Sequence, residues 1–290
     1  MKVLEKIKII EKPLKVNKTF SVLILKGKTN KNSFNGKILG RDLCEWVYFA
    51  CAGHDIKIVD YNGKDNVLQF VRDKININHD YTIILLFNLP LLQSTTISDI
   101  KEYCEIKNSV ICKLPAGYVI NNNLFLNNKN LIIDSVYSKN IDDFYLVENK
   151  KQYSYALNVL QDRINNFHMD NGIEIIDPKK TYIEPTVDIS KGVTIYPNNS
   201  LKGNTTINSG VILKENNVID NSKIGSGSCI SGSIINNSVL GKEVFVSPFC
   251  EINNSLICDE CVIGKGVSIN KYSINKGEKI TPNSILGEDK

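Results

Sequence analysis

An aliphatic residue recurs every five or six positions through residues 181–286. The members of this series, here called anchors, are Ile183, Ile189, Ile195, Leu201, Ile207, Leu213, Ile219, Ile224, Ile230, Ile235, Leu240, Val246, Ile252, Ile257, Ile263, Ile269, Ile274, Ile280 and Leu286. Neither the helical period nor the strand period of two fits so long a series. A fixed short period is typical of a solenoid, in which each hexapeptide forms one strand and one turn.

A mostly small residue stands two positions before most anchors. These residues are Val187, Val193, Thr205, Val211, Ser222, Ser228, Ser233, Ser238, Val244, Cys250, Ser255, Cys261, Val267 and Ser284. Three strands close a triangular coil, so the nineteen anchors predict about six stacked coils. This is the hexapeptide pattern of left-handed parallel β-helices. A β-sandwich of alternating strands would not keep a period of six.

Apolar runs alternate with helical patterns in the first half of the chain. Near-continuous apolar runs predict buried strands at residues 21–26, 56–60, 81–87 and 109–113. Helical patterns lie between them, at residues 43–50, 65–75 and 98–106. Strands that alternate with helices predict a Rossmann-like α/β domain with a doubly wound parallel sheet.

After residue 113 the sequence pattern changes first to short β-like runs and then to a helix. Residues 124–126 and 131–133 are short β-like runs between Asn-rich turns. A helix is predicted from Lys150 to a left-handed end at Gly172, with one apolar face formed by Leu157, Leu160, Ile164 and Phe167. We therefore predict an α/β domain at 1–149, a connecting helix at 150–172 and the β-helix at 173–290. Residues 1–18 have an alternating basic pattern, and their role is left open.

Composition excludes several classes of protein. The 290 residues carry a formal charge of only +4, with scattered Lys and Arg, so a nucleic-acid partner is not implied. No apolar run is long enough to span a bilayer, and the amino terminus lacks the pattern of a signal peptide. The eight Cys have no disulfide-scaffold spacing, which suits a reducing compartment. We expect a cytoplasmic protein without a membrane partner.

Residues 157–197 resemble the linker of one family. The matching segments are residues 163–165, 168–172, 175–178 and 181–184. They are similar to the bifunctional UDP-N-acetylglucosamine pyrophosphorylase/glucosamine-1-phosphate N-acetyltransferase family. The resemblance implies a nucleotidyltransferase domain, a connecting helix and a left-handed β-helix that forms a homotrimer. It also implies that this chain ends before the distal coils in which the family binds acetyl-CoA.

The family's first strand leads into a phosphate-binding loop of the form A-A-G-x-G-T-R, followed by P-K. In this chain Gly27 and Lys37 match, and Thr29 matches after a one-residue deletion, whereas Asn30 replaces the Arg. The resemblance implies that Gly27, Lys28 and Thr29 cradle the phosphates of a nucleotide. It also implies that Lys37 neutralises phosphate charge during catalysis.

The family's catalytic Mg²⁺ is bound by the Asp of a G-D-x-P tetrad. Residues 87–90 occupy this position, but Asn88 replaces the carboxylate. Residues 147–150 resemble a second metal-binding segment, in which Asn149 is kept and Glu148 offers a carboxylate. The resemblance thus implies a Mg²⁺ site of Asn88, Glu148 and Asn149 if the protein is active. A solvated helix start with Asn149 near the N-cap is the structural alternative.

The sugar site has one matching motif. Residues 115–118 resemble the family's P-x-G-Y-G motif, which implies that Gly117 and Tyr118 contact the sugar. The family's uracil-reading stretch is not found in residues 63–80. Two further sugar-holding segments of the family are also not visible.

Acyltransferase activity is less favoured by the sequence. β-Helix acyltransferases generally use a His as general base, but His54, His79 and His168 all lie outside the repeat. Cys258 and Cys261 have the spacing of a zinc-ligand pair, but a single pair is weak, and Cys261 occupies a small inward position of the repeat.

Two functional hypotheses follow. In the first, the protein is a sugar-1-phosphate nucleotidyltransferase that uses Mg²⁺ to transfer a uridylyl group from UTP to a hexosamine 1-phosphate. In the second, it is a pseudoenzyme that binds a sugar nucleotide or a partner and is trimerised by its β-helix. The losses at Asn30 and Asn88 favour the second on chemical grounds. The sugar, the nucleotide and any protein that supplies the missing groups are left open.

Overall fold

The computed structural model describes residues 18–27, 36–63, 65–128 and 132–287. The chain divides into two compact units, Met1–Asn35 with Leu43–Asn149, and Gly36–Asp42 with Lys150–Lys290. The short segment Gly36–Asp42 therefore belongs to the second unit, although in sequence it lies within the first. The predicted domain boundaries at residues 149 and 172 stay predictions.

The first unit contains a six-stranded sheet in the order β2-β1-β3-β5-β4-β6. Its strands are β1 (Phe20–Gly27), β2 (Asp55–Tyr61), β3 (Tyr81–Leu86), β4 (Ile111–Leu114), β5 (Gly117–Asn121) and β6 (Ser135–Val136). Its helices are α1 (Leu43–Ala50), α2 (Val67–Val71), α3 (Ser94–Lys107) and α4 (Asn122–Asn127), with a 3₁₀ turn at Ile141–Phe144. Strand β1 lies between β2 and β3, and both of its faces are apolar: Val22 and Ile24 face one core cluster, and Leu23 and Leu25 face the other.

The α/β prediction is confirmed, but the purely parallel sheet is not. Strand β5 runs antiparallel between β3 and β4, which makes the sheet mixed. The tight turn at residues 115 and 116 folds β5 back onto β4, and Gly117 allows this return. Residues 124–126 form helix α4 instead of a strand, because the Asn121 side chain accepts a hydrogen bond from Leu124 N at 3.1 Å and caps the helix. Residues 132 and 133 are not in a strand, and residue 131 lies outside the described residues.

The predicted connecting helix is α5 (Lys150–Asp170) in the second unit, and Gly172 follows it with φ +86°. Its buried face is more polar than predicted: it consists of Ala156, Leu160, Asn165 and His168. Phe167 is 63% exposed instead of buried. Asn165 Nδ2 donates to the carbonyls of Pro178 and Thr181 at 2.7 and 3.0 Å. The helix therefore docks on the first coil by donating hydrogen bonds from a side chain to backbone carbonyls of that coil. The spacing of apolar residues does not predict such contacts.

The β-helix is left-handed and parallel, with about seven turns instead of the predicted six. Face 1 contains Glu174–Ile175, Thr194–Ile195, Ile212–Leu213, Cys229–Ile230, Phe245–Val246, Val262–Ile263 and Lys279–Ile280. Face 2 contains Tyr182–Ile183, Ser200–Lys202, Val218–Asp220, Ile234–Asn236, Glu251–Asn253, Ser268–Asn270 and Ile285–Gly287. Face 3 contains Asp188–Ile189, Thr206–Ile207, Lys223–Ile224, Val239–Leu240, Leu256–Ile257 and Ser273–Ile274. A 3₁₀ turn at Pro178–Lys180 lies in the first coil.

The interior of the β-helix is one aliphatic column. The anchors from Ile183 to Ile274 are buried. Ile175 precedes the predicted series, and it is buried too, in a strand that pairs with the strand of Ile195. The small inward residues form a second, polar ladder. Ser238 N donates to Ser222 Oγ, and Ser255 N donates to Ser238 Oγ, each at 3.1 Å. The period of the sequence is therefore that of one strand and its turn, and three such periods make one coil.

Phe249 occupies a turn of the β-helix whose backbone conformation disfavours its side chain. Phe249 has φ +66° and is 71% exposed. The corresponding turn position in other coils is occupied by Asn198, Asn216, Gly232, Gly266 and Asn283, all with positive φ. A left-handed conformation costs an ordinary side chain about 1–2 kcal/mol, whereas Asn and Gly adopt it readily.

We expect Phe249→Asn to raise the free energy of unfolding by about 1 kcal/mol, because Asn relieves the backbone strain. The loss of the contact with Lys265, whose Nζ lies 5.3 Å from the ring centroid, offsets only part of this gain. Urea denaturation followed by circular dichroism measures the change. Phe167→Asn is the control, because it removes an equally exposed Phe from a helix and should bring no gain. A loss of stability in Phe249→Asn would contradict the assignment of strain.

Candidate functional site

Two of the predicted site residues lie at one edge of the sheet in the first unit. Strands β1 and β3 are parallel neighbours, and Leu25 pairs with Leu86. Gly27 ends β1, and Asn88 follows β3 by two residues. Phe87 N donates to Leu25 O at 3.1 Å, which extends the pairing to the end of both strands. Ligands of open α/β sheets bind at such carboxyl ends.

A third segment of the first unit is hydrogen-bonded to Asn88. Val147 N donates to Asn88 O at 3.0 Å, and Asn88 Nδ2 donates to Val147 O at 3.3 Å. Glu148 and Asn149 follow directly and are exposed. The structure therefore brings Gly27, Asn88, Glu148 and Asn149 to the carboxyl edge of the sheet.

The two residues predicted to contact sugar have structural roles. Gly117 begins β5 opposite Leu85 and has φ +142°. A Cβ atom there would collide with the carbonyl oxygen of Ile84, so the close approach of the strands requires Gly. Tyr118 is half-buried and packs against the core cluster that contains Leu23 and Phe125. Contact of either residue with a sugar stays a prediction.

The remaining predicted phosphate-site residues either belong to the second unit or lie outside the described residues. Lys28 and Thr29 lie outside the described residues. Lys37 is exposed and belongs to the second unit, where its carbonyl accepts a hydrogen bond from Tyr153 Oη at 3.2 Å. Its role with phosphate stays a prediction.

The predicted magnesium ligands at this edge would bring the ion one carboxylate and two neutral amides. Asn88 is neutral, and its amide nitrogen is directed at the Val147 carbonyl, so Glu148 supplies the one carboxylate of the predicted set. The buried carboxylate of Asp143 accepts hydrogen bonds from Gln93 and Thr96 at the start of α3, which gives it a structural role. In the part of the chain that the structure describes, no three His, Cys, Asp or Glu side chains are grouped to hold a metal ion.

We expect Asn88→Asp to lower the free energy of unfolding of the first unit by about 2 kcal/mol. The carboxylate cannot donate to Val147 O and would place a charge beside that carbonyl in a site that is 8% exposed. The fluorescence of Trp46 in α1, the sole Trp of the chain, follows this unit during urea denaturation.

Asn123→Asp is the matched control for this prediction. Asn123 Oδ1 accepts from Asn127 Nδ2 at 2.7 Å, and a carboxylate keeps that role on the exposed first turn of α4. We expect a change below about 0.5 kcal/mol there. Equal stability of Asn88→Asp and the wild type would show that the bond from Asn88 Nδ2 to Val147 O is dispensable.

The sequence did not predict two polar cavities at the opposite, amino edge of the sheet. A cavity of about 670 Å³ is lined by Asn78, His79, Asp80 and Asn122, among others. A second, of about 420 Å³, is lined by residues that include Ser21 and Thr82. Thr82, which lines the second cavity, donates from Oγ1 to Oδ1 of Asn122, which lines the first, at 2.8 Å. The runs of Asn around residues 76–78 and 121–123 were the available signal, but Asn-rich turns are common without any ligand.

His168 and Cys261 are both buried in the second unit. His168 is buried on α5, and this burial lowers the pKa of its imidazole. Cys261 is buried and donates to Asn275 O at 3.0 Å, as the inward Ser residues do in other coils. This contact supports the packing role predicted for Cys261.

Comparisons with known proteins agree with the repeat. A family model described as GlmU-like, C-terminal hexapeptide, matches residues 212–290. The bifunctional protein GlmU of Clostridium novyi is 39% identical over 152 residues, which are 52% of this chain and 33% of that protein. The bifunctional protein GlmU of Clostridium beijerinckii is 38% identical over 143 residues, 49% of this chain and 31% of that protein. That of Halalkalibacterium halodurans is 34% identical over 143 residues, with the same two shares.

These matches confirm the resemblance for the C-terminal half of the chain, which is GlmU-like. The chain spans about a third of the length of the curated relatives it matches. Among the described residues, no helix combines the length and apolar character needed to cross a membrane.

Proposed function

We propose that the protein is a catalytically impaired relative of GlmU that binds a sugar nucleotide or a nucleoside triphosphate. The ligand would sit at the carboxyl edge of the first unit's sheet, and the protein would act in the cytoplasm as a homotrimer. The observation that carries the proposal is the bond from Asn88 Nδ2 to Val147 O, at the position where the resembled family has a metal-binding Asp.

Phosphoryl transfer needs strong charge compensation at the reacting phosphate. Mg²⁺ supplies it when carboxylate oxygens hold the ion. A side-chain amide carries no charge, so the amide oxygen of Asn88 would compensate the charge of the reacting phosphate less than a carboxylate would. The phosphates of a ligand can still be bound by backbone amides at the end of β1. Binding without turnover therefore fits this edge better than catalysis.

Nucleotidyl transfer to a sugar 1-phosphate is the second candidate. One observation favours it: Gly27, Asn88, Glu148 and Asn149 meet at the edge where α/β enzymes act. In this alternative Glu148 replaces the lost carboxylate, and Mg²⁺ is the cofactor. Acyltransfer is the least supported candidate, because the β-helix has no His to act as general base.

The homotrimer is the part of the proposal that concerns the β-helix. It rests on the resemblance to the family and on the seven-turn solenoid, whose three faces are parallel sheets. Light scattering at micromolar concentration should give a mass of three chains or a multiple of three. A mass of one or two chains would contradict the trimer and leave the ligand proposal untouched.

Calorimetric titration with UTP and with UDP-N-acetylglucosamine tests the ligand proposal. We expect saturable binding of at least one of them, and we expect it to persist when EDTA replaces Mg²⁺. Gly27→Ala should weaken binding at least tenfold, because its methyl group would narrow the approach to the backbone amides. The fold tolerates that methyl group, which meets Phe87 Cε1 at 3.5 Å.

Gly53→Ala is the control for binding. Gly53 lies before β2, and a Cβ there meets nothing within 4 Å. It should bind like the wild type. No binding of either nucleotide by the folded wild type would contradict the proposal.

A further inference from the structure

A polar cavity of about 670 Å³ lies at the amino edge of the sheet in the first unit. Three segments line it: the residues just before β1, the loop that leads into β3, and the end of β5 with helix α4. All three segments belong to the first unit, and the volume is within the range of sites that bind small molecules. Strand β1 runs from this edge to Gly27 over eight residues, so the cavity lies roughly 23 Å from the proposed nucleotide site.

Hydrogen bonds within the unit fix the inner wall of the cavity. Asn122 is 2% exposed, and its Nδ2 donates to the carbonyls of His79 and Asn76 at 2.8 and 3.1 Å. Asp80 Oδ2 accepts from Thr19 N at 2.8 Å, which joins the start of β1 to the start of β3. The polar groups of this wall are therefore held in position without a ligand.

Other polar groups of the lining have hydrogen-bonding capacity that the described part of the chain does not use. The side chain of Asn78 makes no hydrogen bond to any described residue. Asn127 Nδ2 donates to Asn123 Oδ1 at 2.7 Å, but within the same described ranges neither Asn123 Nδ2 nor Asn127 Oδ1 has a partner. His79 Nδ1 is buried without a hydrogen-bond partner among the described residues, which is rare for a buried polar atom. The cavity therefore offers both donors and acceptors to a ligand.

The ionisable residues of the lining each face a group of complementary charge. Lys18 Nζ lies 3.6 Å from Asp80 Oδ1, and His79 Nε2 lies 3.3 Å from Asp55 Oδ2. A phosphate or carboxylate in the cavity would meet Asp80 as well as Lys18, so the lining does not select an anion. The uncharged groups of the lining therefore decide which ligand it takes.

We propose that this cavity binds an uncharged sugar, a mono- or disaccharide. The uncharged polar residues of the lining include Asn78, Asn121, Asn122, Asn123 and Asn127. An Asn side chain offers an acceptor oxygen and a donor nitrogen side by side, so it can pair with two neighbouring hydroxyl groups of a sugar ring. The C–H groups of the ring form an apolar face, which suits Ile77 and Leu124, two apolar lining residues that are 75% and 41% exposed. This sugar site is separate from the proposed nucleotide site and does not depend on it.

Saturation-transfer difference NMR of the folded wild-type protein tests the proposal, with glucose, N-acetylglucosamine and maltose as probes. We expect saturable binding of at least one of them, with a Kd of about 1 mM or lower. Glucuronate and glucose 6-phosphate should bind at least about fivefold more weakly than the best uncharged probe, because their anionic groups would approach Asp80. No saturation by any of the three uncharged sugars up to about 20 mM would overturn the proposal. Equal or tighter binding of the anions would overturn the uncharged class of ligand.

Asn78→Ala and Ile77→Ser test the position of the site. We expect each to weaken sugar binding about three- to tenfold, because one removes an amide and the other an apolar contact. Asn128→Ala and Ile106→Ser are the matched controls. Asn128 is exposed outside the lining and keeps the bond from Arg72 to its carbonyl, and Ile106 is 74% exposed on α3. Both controls should bind like the wild type. Unchanged binding in either cavity variant, or equal losses in the controls, would overturn the assignment of the sugar to this cavity.

Competition with UTP separates this site from the proposed nucleotide site. Saturating UTP should leave the affinity for the sugar unchanged, and Asn78→Ala should leave UTP binding unchanged. Displacement of the sugar by UTP would place the sugar at the carboxyl edge and overturn the second site. Sugar binding without UTP binding would support the cavity and contradict only the nucleotide site. Trp46 fluorescence during urea denaturation establishes that each variant is folded.

Discussion

Gly117→Ala is expected to lower the free energy of unfolding of the first unit by about 3 kcal/mol. Gly117 has φ +142°, a region that L-residues rarely adopt. Its absent side chain would point at the carbonyl of Ile84 in β3, and backbone in a central sheet cannot yield as a flexible side chain can. The added methyl group must therefore separate β3 from β5 or distort the turn that joins β4 to β5.

Trp46 fluorescence during urea denaturation measures this loss, because Trp46 lies in α1 of the same unit. Gly53→Ala is the matched control: it also has a positive φ, +89°, but open space around the added atom. We expect it to cost about 1 kcal/mol, from backbone strain alone. Equal costs for the two variants would show that the contact with Ile84 is unimportant. In that case the predicted contact between Gly117 and a sugar would be the better explanation of this Gly.

Ile235→Ala is expected to destabilise the β-helix by about 3 kcal/mol. Ile235 is fully buried in the aliphatic column and packs between the anchors of the coils above and below it. Removal of its side chain leaves a cavity that neighbouring coils, held by their own backbone hydrogen bonds, cannot fill. The loss should appear in the circular dichroism of urea denaturation and leave the Trp46 transition of the first unit unchanged.

Ile234→Ala is the control for this prediction. The same residue type is removed from the adjacent position, where the side chain points outward and is 44% exposed. We expect less than about 1 kcal/mol there. A similar loss at both positions would contradict the inward and outward assignment on which the β-helix depends.

The β-helix was predictable because each strand contributes one aliphatic residue to the core, so the sequence repeats every five or six residues. Each anchor is one inward contact, so the series from Ile183 onward determines the register of every coil. The seventh turn was missed because Ile175 stands eight residues before Ile183, outside the regular spacing. The prediction of the buried face of α5 was partly wrong for a different reason. Asn165 is buried through hydrogen bonds to carbonyls that lie 13 and 16 residues away, and hydrophobic periodicity carries no such signal.

The sheet of the first unit was less predictable. Its parallel strands appear in the sequence as apolar runs. However, β5 lies between β3 and β4 in the sheet, and the order in which strands pair depends on contacts between residues far apart in sequence. Residues 115–118, which resemble the family's sugar-contacting motif, form the turn into β5, and their contact with a sugar stays a prediction. The position of Asn88 at the carboxyl edge was predictable from the strand before it. The bond from its amide nitrogen to Val147 O, 59 residues away, was not.

Pyrophosphate release from UTP and N-acetylglucosamine 1-phosphate, with Mg²⁺, tests the central claim most directly. The folded wild-type protein should be compared with Asn88→Asp under conditions in which both remain folded. We expect no turnover by the wild type above the background without protein, because the neutral Asn88 offers a magnesium ion no charge compensation and Glu148 is the one carboxylate of the predicted set. Magnesium-dependent turnover by the wild type would contradict the proposed loss of catalysis and would establish the nucleotidyltransferase alternative.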